Sequence, residues 1–194
     1  MIQKPYDYTV IAYASKNYKR FLKRLKESLE DLKIPNKLVQ YDQWTDHRGT
    51  SLYRPTFIRD TINELKSTVL YVDVDSVFIK KPKLPKLDFD IGTTKRVNED
   101  GIYKPRKYIK NWNFASVFRY TDATIHFLEV YKYLCDWRDL KNVSDHIRVN
   151  WVKWMLEGEF KEIFMNKYFS NCIIGYIDHG KKSVKIGVEK DGKS

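Results

Sequence analysis

Two carboxylates stand two residues apart directly after an apolar segment. Val69–Val72 is a run of four apolar residues, and Asp73 and Asp75 follow it. Such a run predicts a strand that is buried on both faces of a parallel sheet, and its end predicts the carboxyl edge where open α/β sheets bind ligands. Because residues i and i+2 of a strand point the same way, we expect both carboxylates to face one metal ion. Their hard oxygens suit a divalent cation that also holds phosphate oxygens. The simpler alternative is that both acids are solvated and open a turn.

The elements that must position these acids alternate between strand and helix. We predict a strand over residues 8–14, a helix over 17–33, a strand over 37–44, a helix that begins at Pro55, and the strand over 69–72. The helix assignments rest on apolar residues at helical spacing and on proline at a helix start. Two successive strand–helix–strand units predict an α/β fold with a mostly parallel central sheet wound in the right-handed sense.

The second half of the chain has a less regular pattern. We predict strands over 90–94 and 114–120, a helix over 121–137 capped by Thr121, and a further helix to residue 156 capped by Ser144 or Asp145. The basic segment over 95–110 is expected to be a surface loop, and residues 163–188 are expected to mix short strands with turns.

Composition limits the classes of protein that this chain can belong to. Its 194 residues suit one domain, and 42% hydrophobic content excludes a disordered chain. The formal charge of +11 favours anionic partners, which include nucleic acid, anionic membrane and phosphorylated small molecules. No apolar stretch has the length of a membrane span, and the N-terminus lacks the apolar core of a signal peptide. Two cysteines, Cys135 and Cys172, predict free thiols in a reducing compartment, so we expect a soluble cytoplasmic protein.

The motifs resemble those of nucleotide-sugar glycosyltransferases with the GT-A fold. The resemblance rests on Asp73-Val74-Asp75 after a central strand, on the preceding helix over 54–59, and on Asp178-His179-Gly180-Lys181-Lys182 near the C-terminus. The segment over 111–117 is similar to a family element that lines the donor-sugar pocket, although Ala115 stands where glycine is frequent. Asp145-His146 is similar to an Asp-Gln pair at a helix start, with histidine in place of glutamine. In its small size, the chain resembles glycosyltransferases encoded by large chlorella viruses.

This resemblance implies a single GT-A-like domain with a nucleotide-binding half over 1–94 and an acceptor and donor-sugar half over 95–194. It implies metal-dependent transfer from a UDP-sugar, with UDP-glucose as the named candidate, to a hydroxyl group of a glycan or glycoprotein. Mn²⁺ or Mg²⁺ would be held by Asp73, Asp75 and His179, and Asp145 would contact the sugar or act as general base. The remaining predicted donor-binding residues are Ala12, Tyr13, Ala14, Ser15, Arg54, Arg59, Val74, Asn113, Lys181 and Lys182. For His179 an exposed turn histidine is the alternative, and for Asp145 a helix cap.

Two other functions fit parts of the sequence. In a phosphatase of the haloacid dehalogenase type, Asp73 would be the nucleophile and Asp75 the acid/base. Two strand–helix units precede these residues, however, and no later carboxylate pair completes that site. A nucleic-acid-binding module would explain the positive charge, but the lysines are spread over many segments and no binding motif is present.

Overall fold

The computed structural model describes residues 8–42, 51–94, 115–140, 143–169, 172–175 and 184–185. Its strands are β1 Thr9–Ser15, β2 Asn36–Tyr41, β3 Val69–Val72, β4 Ser76–Phe78, β5 Ile91–Thr93, β6 Ala115–Phe118, β7 Glu162–Phe164, β8 Ile173–Gly175 and β9 Val184–Lys185. Its helices are α1 Lys19–Asp31, α2 Arg54–Leu65, α3 Asp122–Asp136, α4 Asp145–Met155 and α5 Asn166–Phe169, with 3₁₀ turns at Lys16–Tyr18 and Arg138–Leu140.

A six-stranded mixed sheet in the order β2-β1-β3-β6-β5-β7 forms the centre of the described structure. β1 pairs in parallel with β2 and β3, and β5 pairs in parallel with β7. Strand β6 is antiparallel to both β3 and β5, so five of the six strands run in the same direction. The predicted mostly parallel α/β sheet is therefore confirmed. A separate antiparallel sheet has the order β4-β8-β9.

Helices and the small sheet cover the two faces of the central sheet. Alternate residues of β1 and β3 point to opposite faces, as strand geometry requires. Val10 and Leu70 join one apolar cluster with residues of α1, β4 and β8, whereas Ile11 and Tyr71 join a second cluster with residues of α2, α3 and α4. Both faces of β3 are thus buried, which explains its continuous apolar sequence.

Helix boundaries follow local sequence signals. Pro55 lies in the first turn of α2, and the Thr121 hydroxyl caps α3 by accepting a hydrogen bond from the Thr124 amide. The helix that we predicted over 17–33 begins as a 3₁₀ turn before α1. α1 and α2 are each followed by a lysine with a left-handed backbone, Lys33 (φ 52°) and Lys66 (φ 46°), where glycine is the usual residue. None of the helices that the structure describes has the length and apolar content needed to cross a lipid bilayer.

Candidate functional site

A buried arginine joins two carboxylates at the carboxyl edge of β3. Arg54, the first residue of α2, places Nη2 3.0 Å from Asp73 Oδ1 and Nη1 3.1 Å from Asp145 Oδ2. Arg54 is 7% exposed and Asp145 is 4% exposed, whereas the Asp73 side chain keeps 27% of its surface exposed. Buried charges need such pairing. The three residues therefore tie the end of β3 to the first turns of α2 and α4, and Asp73 lies nearest to solvent.

Tyrosine hydroxyl groups surround this ion-pair cluster. The Tyr71 hydroxyl donates to Asp73 Oδ1 at 3.2 Å, and the Arg54 guanidinium lies 5.2 Å from the Tyr71 ring centre. The Tyr131 hydroxyl donates to the backbone carbonyl oxygen of Asp145 at 3.4 Å. Burial raises the pKa of Tyr71 and of Tyr131 well above the ordinary tyrosine value, so both remain protonated donors at neutral pH.

Asp75 lies in a turn rather than in a continuation of β3. β3 ends at Val72, and the Ser76 amide donates to the Asp73 carbonyl at 3.0 Å to close the turn. The i, i+2 rule for strands therefore does not orient these two side chains. Their carboxylates are nevertheless electrostatic neighbours. Burial, followed by the charge of Asp73, raises the pKa of Asp75 to about 7.

Nearby positive charges only partly offset the burial of the Asp73 and Asp75 carboxylates. Burial raises the pKa of Asp73, while Arg54 and then His146 act to lower it. On the other side of the turn, Arg24 of α1 places Nη2 3.4 Å from the Asp75 carbonyl oxygen. A raised carboxylate pKa means that the ionised form lacks sufficient stabilisation from its surroundings. An added cation would supply it.

The donor set fits a divalent cation that is held partly by the protein. The described part of the chain contains no group of three or more His, Cys, Asp and Glu side chains placed to hold a metal ion. Mg²⁺ and similar cations are commonly held by one or two carboxylates, with substrate phosphates and water completing the shell. Asp73 and Asp75 can supply that partial set. The third predicted ligand, His179, lies outside the described residues.

The predicted nucleotide-binding residues of β1 lie at the same edge of the sheet. Ala12, Tyr13, Ala14 and Ser15 form the carboxyl end of β1 and are buried, and Val74 is half-buried in the turn after β3. The Tyr13 ring packs against Phe57 with a centroid separation of 4.9 Å. These positions agree with the predicted location of the nucleotide, and their role stays a prediction.

The remaining predicted residues are not brought to this cluster by the described contacts. Arg59 pairs with Asp60 at 2.6 Å and with Glu129 of α3 at 3.2 Å, and no contact to Asp73 or Asp145 is found for it among the described residues. Asn113, Lys181 and Lys182 lie outside the part of the chain that the structure describes. Their predicted contacts with the donor stay predictions.

Sequence reasoning assigned no role to four residues, three at the site and one, Arg148, away from it. Tyr71 and Arg24 approach Asp73 and Asp75, and His146 is close enough to influence the Asp73 pKa. Arg148 is fully buried in α4, where its guanidinium donates to backbone carbonyls at the end of α3 and in the segment before α4. The alternation of Tyr71 with Asp73 was a signal available in the sequence. A buried arginine on an otherwise ordinary helix offers no such signal.

The fold of this chain is similar to that of known protein structures. No protein-family model and no curated protein matches the sequence. A glycosyltransferase involved in the glycosylation of the major capsid of PBCV-1 is structurally similar, with a TM-score of 0.66, 10% identity, and coverage of 88% of this chain and 93% of that one. The glycosyltransferase GlyE of Streptococcus pneumoniae TIGR4 gives a TM-score of 0.49 at 10% identity, over 84% of this chain and 46% of that one. At 10% identity this similarity to the PBCV-1 protein concerns the fold alone, and it confirms the predicted GT-A-like α/β fold.

Proposed function

We propose that this protein is a glycosyltransferase that moves a sugar from a nucleotide-diphosphate donor to an acceptor hydroxyl group. The observation that carries the proposal is the paired carboxylates, Asp73 and Asp75, at the carboxyl edge of β3 in a GT-A-like fold. Ligands of open α/β sheets bind at that edge. We name a UDP-sugar as the donor class and UDP-glucose as the first compound to test. We expect the acceptor to be a glycan or glycoprotein.

We further propose that Asp73 and Asp75 hold Mn²⁺ or Mg²⁺, with His179 as the third protein ligand. The raised pKa values of the two aspartates support a cation at this position, because its charge would stabilise their ionised forms. When bound, the cation would supply Lewis-acid stabilisation of the departing diphosphate. Arg24 adds positive charge on the α1 side of the same turn.

The buried cluster would fix the geometry of the donor site. Arg54 holds Asp73 at the end of β3 and Asp145 at the start of α4, so two acids from different elements keep a constant separation. Tyr71 and Tyr131 add hydrogen bonds to the two aspartates. We assign Asp145 to hydrogen bonding with the donor sugar because its carboxylate is already held by a guanidinium. Its use as general base is the alternative.

The architecture weakens the two competing functions. A haloacid-dehalogenase phosphatase carries its nucleophile after the first strand of the chain, whereas β1 and β2 precede Asp73 here. Many described lysines on the surface lie beside acids, as in the pairs Lys23–Glu27, Lys26–Glu30 and Lys132–Asp136. This interleaving reduces the uniform basic face that nucleic-acid binding requires.

Calorimetry against a panel of nucleotide-sugars, with and without Mn²⁺, tests the proposal. We expect a UDP-sugar to bind only when the cation is present, and Asp75→Ala to abolish that binding while the protein stays folded. Asp88→Ala is the matched control, because Asp88 is an exposed acid that pairs with Lys161. Equal binding with and without Mn²⁺ would contradict the assignment of Asp73 and Asp75.

A further inference from the structure

Arg54 occupies a position that ordinarily disfavours a positive charge. It is the first residue of α2, and the first turn of that helix contains no acid. A helix N-terminus carries partial positive charge from the backbone, so a cation there is repelled. Arg54 is also buried, which adds a desolvation cost. Its location therefore depends on Asp73 and Asp145, the two acids that it contacts.

We propose that Arg54 is a built-in counter-cation that weakens divalent-cation binding at Asp73 and Asp75 until a nucleotide diphosphate arrives. The inference rests on the proposed function, since it concerns the same cation site. It adds a property that the two aspartates alone would not have. Cation and nucleotide would bind cooperatively, and each would bind weakly without the other.

The geometry at Asp73 gives the physical reason. Oδ1 of Asp73 already accepts from Arg54 at 3.0 Å and from the Tyr71 hydroxyl at 3.2 Å. A metal ion on this carboxylate must therefore share it with a fixed positive charge. In a partly buried site such repulsion is screened less than in water. A diphosphate beside the metal brings negative charge that is attracted to both cations, which removes the penalty.

The ion pair with Asp145 would keep Arg54 in place when a metal ion also binds Asp73. Arg54 Nη1 lies 3.1 Å from Asp145 Oδ2, although the contact lacks the alignment of a hydrogen bond within the described structure. Two carboxylates, Asp73 and Asp145, contact this guanidinium, and its charge also acts on Asp75. Arg24 supplies additional positive charge on the α1 side of the turn. Removal of Arg54 would thus leave Asp73 and Asp145 without the positive charge that they share.

Titration of Mn²⁺ followed by electron paramagnetic resonance tests this inference, with and without UDP, above the Asp75 pKa of about 7. Without UDP, Arg54→Met should bind Mn²⁺ about tenfold tighter than wild type, which is within the usual range of coupling between sites. The enhancement of Mn²⁺ affinity by UDP should shrink in the same variant. Arg119→Met removes one positive charge from a half-exposed arginine beside Asp88 and should leave both affinities unchanged.

Folding of the variant is the main control. Arg54→Met leaves two acids without their partner, so the double variant Arg54→Met/Asp145→Asn removes one of those charges as well. Circular dichroism reports whether each protein is folded, and Mn²⁺ should raise the melting temperature of either variant more than that of wild type. The wild-type titration needs no variant: equal Mn²⁺ affinity with and without UDP would overturn the inference.

The outcomes separate this inference from the proposed function. Absence of Mn²⁺ binding to wild type even with UDP would refute the cation site itself, and the role of Arg54 with it. Mn²⁺ binding to wild type that depends on UDP, with no tightening in a folded Arg54 variant, would refute only the role of Arg54. Tighter binding by the variant, with Arg119→Met unchanged, is the result that supports it.

Discussion

Replacing Arg148 with methionine should lower the free energy of unfolding by about 4 kcal/mol. Arg148 is fully buried in α4, and its guanidinium donates to four backbone carbonyls. The acceptors are the carbonyl oxygens of Leu134, Cys135, Leu140 and Val143, with separations of 2.9 Å to Cys135 and 3.1 Å to Val143. One side chain therefore ties the last turn of α3 to the start of α4.

The magnitude follows from the number of acceptors. The carbonyls of Leu134 and Cys135 lie in the last turn of α3, where no partner is available within the helix. Each buried carbonyl that loses its donor costs about 1 kcal/mol, which gives about 4 kcal/mol for the four. That is a large part of the 5–15 kcal/mol, roughly, that stabilises a typical domain. Arg148→Lys keeps the charge but cannot span four acceptors, so we expect a loss of about 3 kcal/mol.

Urea unfolding followed by tryptophan fluorescence and circular dichroism provides the measurement. Arg138→Met is the matched control because Arg138 is exposed in the neighbouring 3₁₀ turn, and its effect should stay within about 0.5 kcal/mol. The m-value should not change, since the fold is retained. A loss below about 1 kcal/mol for Arg148→Met would refute the view that this arginine joins α3 to α4.

Further predictions concern charge, backbone and thiol chemistry. The raised pKa of Asp75, from 3.8 to about 7, means that the folded protein binds a proton that the unfolded chain releases, so stability should fall as pH rises through that window. Asp75→Asn should remove this fall and raise the free energy of unfolding above pH 7 by on the order of 2 kcal/mol, a figure already reduced for solvent screening. Stability–pH curves that run parallel for variant and wild type would contradict this prediction. Lys66→Gly should stabilise the protein by about 1 kcal/mol, because glycine adopts the left-handed backbone without strain. Thermal unfolding should show a higher melting temperature for the variant, and a lower one would contradict the prediction. Burial raises the pKa of the Cys135 thiol to about 12, so this thiol should resist a thiolate-selective reagent until urea unfolds the chain; rapid labelling of native Cys135 would disprove this. His179→Ala should weaken Mn²⁺ binding in the presence of UDP more than Mg²⁺ binding, because imidazole suits manganese better, and equal affinities would exclude His179 as a ligand.

Periodicity predicted the elements that have a strong local pattern. β3 was predicted over the residues that it occupies, because both of its faces are buried and every position is apolar. Thr121 was predicted as a cap from its residue type and position, and its side chain makes the expected hydrogen bond. Strand β6 was predicted by composition, but its antiparallel direction depends on pairing with β3 and β5, which no local signal specifies.

The site was predictable only in part, because local sequence patterns do not specify contacts between distant residues. Asp73 and Asp75 stood out because charges follow a buried strand. The strand rule that we used for their orientation does not apply, because a turn begins after Val72, so a shared metal ion stays a prediction. The ion pairs of Arg54 with Asp73 and Asp145 join residues far apart in the sequence, so only the packing of α2, β3 and α4 reveals them. His146 lies near Asp73 for the same reason.

Turnover of UDP-glucose without acceptor tests the central claim most directly. Wild type with Mn²⁺ should slowly release UDP and free glucose, and both products should disappear when EDTA is added or when Asp75 is replaced by alanine in a folded protein. Asp88→Ala should retain the wild-type rate, because Asp88 lies on the exposed surface beside Lys161. Turnover that survives both EDTA and Asp75→Ala would contradict the account, and so would a phosphorylated Asp73 intermediate with release of inorganic phosphate.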